Sequence, residues 1–320
     1  MSNPLNIDSN SKILVTGGTG FIGSAIANSL KNYYEIIISS RNLGNGVQKS
    51  SALNIPFYPI DLSSYSSVKE VINRIKPSII IHAGASKFID ISESNPSECI
   101  EANVIGSLNL AKVAVENNVN LVVGISTDKA ASPFNSIYGQ SKLAMEQIFS
   151  RFSKFSSTNF KCVRFGNVAW STGSVLPIWW SMYKKNGVIY STGFNMKRYM
   201  MDIDSAVSSV FDAFSHCPNG ATLVEDMKWL RISDLLNGFI NFYGGSYELT
   251  SKRAVDADSE ILIASDESAF TKKILVNNKY FYIIDRYSND SSLDLFSRIT
   301  INESRQLTDN ELTKILLSKP

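Results

Sequence analysis

Short, nearly unbroken apolar runs alternate along the first half of the chain with stretches whose apolar residues recur every three to four positions. "KILV" (12–15), "EIIISS" (35–40), "IPFYPI" (55–60), "SIIIHAG" (78–84), "LVVGIS" (121–126) and "FKCVRFG" (160–166) read as strands. Between them, "FIGSAIANSLK" (21–31), "SSVKEVINRIK" (66–76), "SECIEANVIGSLNLAKVAVENN" (97–118) and the stretch from Tyr138 to Phe152 read as helices. A strand that is apolar on both faces must be covered on both faces, and helices flanking a parallel sheet do this. The pattern predicts an α/β fold, a doubly wound Rossmann-type parallel sheet. After Gly166 the periodicity loosens into loops with Gly, Trp, Met and Tyr and shorter helices such as "DSAVSSVFDAFS" (204–215). The expected division is 1–166, a dinucleotide-binding domain, and 167–320, a smaller and mainly substrate-binding part. That boundary is soft, and later segments can fold back on the first part. In "TDNELTKILLS" (308–318), Thr308 and Glu311 form a capping-box pattern and predict a terminal helix.

Composition narrows the class without naming a reaction. The 320 residues are 44% apolar and 19% charged, with a net charge of +2, so nothing recommends nucleic acid or an acidic membrane as partner. Cys99, Cys162 and Cys217 are widely spaced and odd in number, which argues against a disulfide framework. His82 and His216 are the two histidines, so no metal site is expected. No run of eighteen apolar residues occurs, and "MSNPLNIDSN" lacks the apolar core of a signal peptide. The expectation is a cytoplasmic protein with no membrane partner.

Chemistry enters with "VTGGTGFIGSAI". Gly17, Gly20 and Gly23 follow a strand directly and open a helix. Glycines there allow a tight turn and let a pyrophosphate approach the backbone N–H groups around Phe21 and Ile22. The end of the second strand reads Ser39-Ser40-Arg41-Asn42 and carries no acid for a ribose 2′-hydroxyl. Ser40 and Arg41 can instead hold a 2′-phosphate, which favours NADP, with NAD as the alternative.

A second cluster lies further along. Tyr138 and Lys142 are one helical turn apart on one face. A lysine ammonium near a phenol lowers its pKa and suits it to deprotonating a substrate hydroxyl. Thr127 ends the fifth strand, at the edge where α/β folds bind ligands, and can hydrogen-bond that hydroxyl. Asp128 and Lys129 follow. Oxidation of an alcohol needs no further acid and base there, whereas an elimination needs both.

The glycine loop, the Asp61-Leu62 pair, "HAGA" with Ala83, Gly84 and Ala85, and Asn103 resemble the extended short-chain dehydrogenase/reductase superfamily, and imply that these residues bind the cofactor. "STDKAASPFNSIYGQSK" (126–142) is similar to the signature of the nucleotide-sugar 4,6-dehydratases of polysaccharide biosynthesis. The segment 82–107, with Lys87, Glu93, Asn95-Pro96 and Glu98, and "VRFGNVAWSTGSVLP" (163–177) resemble the same family. The likeness is strongest to the inverting UDP-N-acetylglucosamine branch, which has a tyrosine at the place of Tyr138. It covers Lys12 to about Phe214 well and continues weakly through "EILIASDES" (260–268).

The resemblance implies a reaction. Tyr138 deprotonates the sugar 4-hydroxyl while NADP takes the C-4 hydride. Lys129 removes the C-5 proton, Asp128 assists loss of the 6-hydroxyl, and the hydride returns to C-6. Lys87, Asn167, Arg198 and Arg253 are the implied substrate ligands, and a homo-oligomer is implied. Three places depart from the family. Thr172 stands where the family has an arginine, and Lys197 is the candidate to restore that charge. Lys197-Arg198-Tyr199 replaces Thr-Arg-Phe. Arg253-Ala254-Val255-Asp256-Ala257 replaces Arg-Pro-Gly-Glu-Lys. Competing readings are a nucleotide-sugar 4-epimerase, a keto-sugar reductase, and a non-catalytic NADP-binding sensor.

Overall fold

The computed structural model describes residues 4–132, 136–251, 257–287 and 305–319. Its strands are β1 (Lys12–Thr16), β2 (Glu35–Ser40), β3 (Phe57–Pro59), β4 (Ile79–His82), β5 (Leu121–Thr127), β6 (Asn159–Phe165) and β7 (Asn167–Val168). They continue with β8 (Val188–Thr192), β9 (Lys197–Met201), β10 (Thr222–Glu225), β11 (Trp229–Arg231), β12 (Ser246–Thr250), β13 (Thr271–Val276) and β14 (Lys279–Ile284). The helices of the first half are α1 (Phe21–Leu30), α2 (Leu43–Leu53), α3 (Tyr65–Ile75), α4 (Ile89–Ser94), α5 (Pro96–Ile100), α6 (Gly106–Glu116) and α7 (Ile137–Phe152). Those of the second are α8 (Val175–Asn186), α9 (Ile203–His216), α10 (Ile232–Tyr243) and α11 (Asp309–Leu317).

Among the described residues, nine strands form one sheet in the order β13-β14-β10-β6-β5-β4-β1-β2-β3. The pairings from β3 through β10 are parallel, and β14 and β13 join antiparallel. The period-2 geometry of a strand sorts the apolar runs into two cores. Ile13, Val15, Ile36, Ile38, Ile79, Ile81 and Val123 pack on one face against Ile26, Leu30, Val207 and Val210 of α1 and α9. Leu14, Ile37, Ile80 and Val122 pack on the other against Val68, Ile72, Leu110, Met145 and Phe149 of α3, α6 and α7. The doubly wound α/β fold read from the sequence is therefore the fold observed. β1 lies between β2 and β4, so the strand order reverses there and opens a crevice at the carboxyl ends of the strands.

Beyond residue 166 the chain leaves the sheet and returns to it. β10, β14 and β13 extend it, and α9 covers it beside α1. The β13–β14 hairpin turns on Asn277 and Asn278, whose φ values of 49° and 63° suit a type I′ turn. The intervening chain builds a separate layer of β7, β9 and β11, the pair β8 and β12, and α8, α10 and α11. Trp179, Leu176, Leu235, Leu236, Phe239, Ile315 and Leu316 form its core. The terminal helix is α11, with both arms of the Thr308–Glu311 capping box in place.

Two elements differ from their expected extents. The third strand shrinks to Phe57–Pro59, an edge strand bounded by prolines that offer no N–H to a ladder. The long helix expected over 97–118 contains a π-helical turn at Glu101–Ile105, where Gly106 N bonds back to Glu101 O. Such a turn inserts one residue and is frequent at functional sites. Among the described residues, no helix is long and apolar enough to cross a membrane.

Candidate active site

A cleft of about 920 Å³ lies over the carboxyl ends of β1, β4 and β5. Its floor is a contact between two backbones. Gly17 has φ +66°, and a Cβ there would sit 2.6 Å from the Ala83 carbonyl and the Gly84 nitrogen. A Cβ on Gly23 would sit 2.4 Å from the Gly17 oxygen. Only glycine fits either place, and the turn can then present the start of α1 to the cleft. Gly17, Gly20, Phe21, Ile22 and Gly23 all face it. Unpaired N–H groups and the positive end of the helix dipole make this an anion cradle, and the residues fit a dinucleotide pyrophosphate.

Ser40, Arg41, Asp61, Leu62, Ala83, Gly84 and Ala85 extend the cleft from that cradle. Asp61 Oδ1 accepts from Ser63 N (3.1 Å) and Ser63 Oγ (2.7 Å), which fixes the end of the third-strand loop. Arg41 is not a bare cation: its Nη2 lies 3.1 Å from Glu98 Oε1, and Glu98 also faces the cleft.

Asn103 differs from its expected role. It is buried at 1% exposure in the π-helical turn and does not face the cleft. Its Oδ1 accepts from Ser86 N (2.7 Å), and its Nδ2 donates to Ser86 O (2.9 Å) and Ser141 Oγ (2.9 Å). It pins the loop after β4 to α7. His82 bonds Thr16 Oγ1 (2.8 Å) and Ser107 Oγ (3.1 Å). Burial, helped by the Lys142 charge, pulls its pKa down to about 3, so it is a neutral structural link.

The reactive cluster grows from the end of β5 and the start of α7. Thr127 Oγ1 donates to Asp128 Oδ1 (2.9 Å) and accepts from Lys129 N (3.4 Å), which holds the turn after the strand. Asp128 is completely buried, between Thr127 and Lys129, which both line the cleft. Its Oδ1 also holds Lys129 Nζ at 3.1 Å. Its Oδ2 is buried without a hydrogen-bond partner among the described residues, beside Gly166, which lines the cleft. Lys129 Nζ lies 3.6 Å from Glu260 Oε1 as well. Burial alone would lower the Lys129 pKa, but Asp128 and Glu260 outweigh it and raise it above the usual lysine value.

Tyr138 sits in the first turn of α7. Ser136 Oγ caps that helix by accepting from Gly139 N (3.0 Å), and Glu93 Oε1 accepts from Ile137 N (2.7 Å). Glu93 therefore docks α4 onto α7. Lys142 is buried at 4% exposure, donates to Met145 Sδ (3.4 Å), and has its pKa lowered by burial to about 8. Burial pushes Tyr138 up to about 12, and the cation pulling it back is Lys129, with help from a Thr127 hydrogen bond. Lys142 lies one helical turn from the phenol, and the charge of Lys129, from the turn after β5, also lowers the phenol's pKa.

On the opposite wall, Lys87, Asn167 and Arg198 face the cleft, while Arg253 lies outside the described residues. Asn167 Nδ2 donates to Tyr199 O (3.1 Å), tying β7 to β9. Arg198 donates to Lys197 O (2.9 Å) and Met196 Sδ (3.0 Å), and its Nε lies 3.5 Å from Glu260 Oε1. Lys197, the candidate to restore the charge missing at Thr172, has its ammonium 4.7 Å from the centre of the Trp229 ring. The ammonium beside Thr172 is Lys87, which donates to Thr172 O at 2.8 Å. Glu260 was missed as a site residue. It sits in a loop with no periodicity, and its place in "EILIASDES" was the one available signal.

A glycine cradle at the switch point of a doubly wound sheet, with Tyr138 and Lys142 at the edge of the same cleft, defines the class: a dinucleotide-binding enzyme of the extended short-chain dehydrogenase/reductase superfamily. Residues 13–274 match the model of the family described as "Polysaccharide biosynthesis protein". The capsular polysaccharide biosynthesis protein CapD of Staphylococcus aureus is 35% identical over 251 residues, which is 75% of this chain and 42% of CapD. The chain thus spans less than half of that relative. An inverting UDP-N-acetylglucosamine 4,6-dehydratase of Campylobacter jejuni is 30% identical over 81% of this chain and 79% of its own length. A UDP-glucose 4-epimerase of Rickettsia canadensis is 29% identical over 96% of this chain and 95% of its own. The solved structure of Pen from Bacillus thuringiensis superposes with a TM-score of 0.86 at 25% identity, covering 97% of this chain and 98% of Pen. The chain belongs to the polysaccharide biosynthesis protein family, within the nucleotide-sugar dehydratases and epimerases.

Proposed function

We propose that the protein is a nucleotide-sugar 4,6-dehydratase that converts a UDP-N-acetylhexosamine, UDP-N-acetylglucosamine first, to a 4-keto-6-deoxy sugar nucleotide with inversion at C-5. The observation that carries this reading is the charged cluster beside Tyr138: Lys129 is held at 3.1 Å by Asp128 and faces the same cleft as the phenol. An enzyme that only oxidises and reduces C-4 has no step that uses this second acid–base centre.

The nicotinamide cofactor, when bound, supplies a hydride acceptor and donor. Gly17, Gly20 and Gly23 would cradle its pyrophosphate, with Asp61, Leu62 and Ala83 to Ala85 along the adenosine side. Arg41 favours NADP, because a guanidinium matches a 2′-phosphate, and Glu98 sets how freely it does so. Tyr138 takes the proton of the sugar 4-hydroxyl, with Thr127 beside it. Lys129 keeps a positive charge next to the phenol and so favours the phenolate. Lys142 lies one turn away in a buried position from which it supports the cofactor and the phenol together. Lys87, Asn167 and Arg198 line the wall where the anionic diphosphate and the sugar fit, and Arg253 belongs to the same set by resemblance. Residues 1–166 carry the cofactor half and 167–320 mainly the substrate half. A homo-oligomer acting on cytoplasmic sugar nucleotides completes the reading.

The test is incubation of the purified protein with UDP-N-acetylglucosamine and substoichiometric NADP, followed by mass spectrometry. Loss of one water from the sugar nucleotide, with no net cofactor reduction, is the expected result. An unchanged mass with a 4-epimer in the proton NMR spectrum would replace dehydration by epimerisation.

A further inference from the structure

The loop that carries the cleft wall from β7 into α8 begins on a residue in an unusual backbone conformation. Trp170 has φ +61°, in the left-handed region. Among the described residues six other non-glycine residues have positive φ; five are asparagines, and the sixth is Lys76, which caps α3. Asparagine tolerates that region, whereas a bulky side chain there is an outlier. Glycine would take the same backbone freely, so what the tryptophan adds is its side chain. It is buried at 5% exposure, and its Nε1 donates to Ile315 O (3.0 Å). Its ring meets Trp180 and Tyr243 edge-on, with centroids 6.4 and 6.3 Å away. Ile315 lies in the last turn of α11, where carbonyls fall beyond the helix's own ladder and accept from outside donors.

We infer that Trp170 is a positioning residue for substrate binding: through it, α11 fixes residues 171–174 in the shape that receives the nucleotide sugar. The inference rests on the reading of this wall as the nucleotide-sugar site. Ser171, Thr172, Gly173 and Ser174 all line the cleft. Ser171 N donates to Val168 O (3.2 Å) and Ser174 N to Ser171 O (2.9 Å), so the loop is two consecutive tight turns. Trp170 is the third residue of the first, and a positive φ there sets the geometry of that turn and the course of the chain beyond it. On the cleft side the loop meets the segment after β4. Lys87 Nζ donates to Thr172 O (2.8 Å), and Gly173 abuts the Phe88 ring, which a Cβ there would approach to 2.4 Å. The wall is thus held by α11 behind and by Lys87 in front.

Tyr243 separates this role from simple packing. It ends α10, and its hydroxyl donates to Leu316 O (2.7 Å) in the same last turn of α11. Tyr243 ties α11 to α10 as Trp170 ties it to the loop. Losing either bond loosens α11, and only the loss at Trp170 releases the cleft wall. Trp170 touches no reacting atom, so its loss removes binding that ground state and transition state share.

The test compares wild type with Trp170→Phe, Trp170→Gly and Tyr243→Phe. The first measurement needs no ligand: hydrogen exchange of the loop peptide that spans Ser171 and Ser174, read by mass spectrometry. Trp170→Phe keeps the core filled and loses the N–H, and it should speed exchange about fivefold, as for one lost buried hydrogen bond. Tyr243→Phe should leave exchange of this peptide near wild type. Unchanged exchange in Trp170→Phe overturns the tether. The second measurement is calorimetric titration with UDP and with NADP, together with steady-state rates on UDP-N-acetylglucosamine. Trp170→Phe and Trp170→Gly should each raise the UDP Kd and the KM by about fivefold or more, with kcat and NADP affinity within about twofold of wild type. Trp170→Gly keeps the left-handed backbone and removes the anchor. Wild-type UDP affinity in either Trp170 variant overturns the inference, and so does an equal loss in Tyr243→Phe. Wild type that binds no UDP refutes the functional reading, and hydrogen exchange still decides the tether.

Discussion

Replacing Arg164 by Met should unfasten the segment that carries Glu260. The guanidinium is fully buried and makes five hydrogen bonds: to Glu146 Oε1 (3.1 Å) and Oε2 (2.6 Å), to Glu267 Oε2 and Oε1 (2.8 Å each), and to Leu262 O (2.9 Å). Met fills much of the volume but leaves two carboxylates in the interior. Glu146 keeps Ser126 Oγ, and Glu267 keeps Arg286 (2.8 Å), so neither is wholly abandoned. Removing one partner of a buried ion pair typically costs about 3–5 kcal/mol. For a chain of this size that is a fall in Tm of roughly 4–8 °C. The loss should depend on pH. Burial alone would raise the Glu267 pKa, and Arg164 outweighs it and holds it below the ordinary 4.5. In wild type this contributes stability that is present above the unfolded pKa and lost as pH falls through the lower folded one. Without Arg164 the sign reverses: burial favours the neutral acid, so the penalty grows as pH rises above the unfolded value. Urea unfolding at pH 5 and pH 8 should show the larger loss at pH 8. The variant with Glu146→Gln and Glu267→Gln added should recover part of it. A loss below about 1 kcal/mol, equal at both pH values, would refute the reasoning, since an ordinary surface contact gives as much.

Tyr138→Phe should reduce single-turnover cofactor reduction by roughly 10²–10⁴-fold while leaving cofactor affinity nearly unchanged, read by stopped-flow absorbance and calorimetry. In wild type the same step should accelerate with pH through the neutral and mildly alkaline range, because burial holds the phenol near 12 and the phenolate is the working form. Glu98→Gln should tighten NADP more than NAD, and Arg41→Ala should weaken NADP selectively, both by titration calorimetry; equal effects on the two cofactors would remove Arg41 from the 2′-phosphate site.

The first six strands were legible because each is a nearly unbroken apolar run, and burial on both faces leaves a chain little other choice. β13 and β14 were not. "TKKILV" is a half-exposed edge strand that mixes lysines with apolar residues, "KYFYII" is buried only over its last four residues, and the Asn277-Asn278 turn between them went unread. Gly17 and Gly23 announced the cradle, since a backbone contact at 2.6 Å or less excludes every other residue. Tyr138 and Thr127 were legible from spacing next to a strand end. What spacing could not supply was the second cation that bears on the phenol. Lys142 shares its helix face, but the charge of Lys129 from the preceding turn also bears on the phenol, and Glu260 joins Lys129 only through tertiary folding. Asn103 shows the same limit. Its position in the helix was readable, but the π-helical turn that holds it and its bond to Ser86 were not.

The central claim is an oxidation at C-4 that is spent at C-6 within one active site. Its most direct measurement uses UDP-N-acetylglucosamine carrying deuterium at C-4, incubated with the protein and substoichiometric NADP and read by deuterium NMR. Deuterium at C-6 of a 4-keto-6-deoxy product is the predicted result. Deuterium found at C-4 of an epimer, or lost to the cofactor pool, would contradict it.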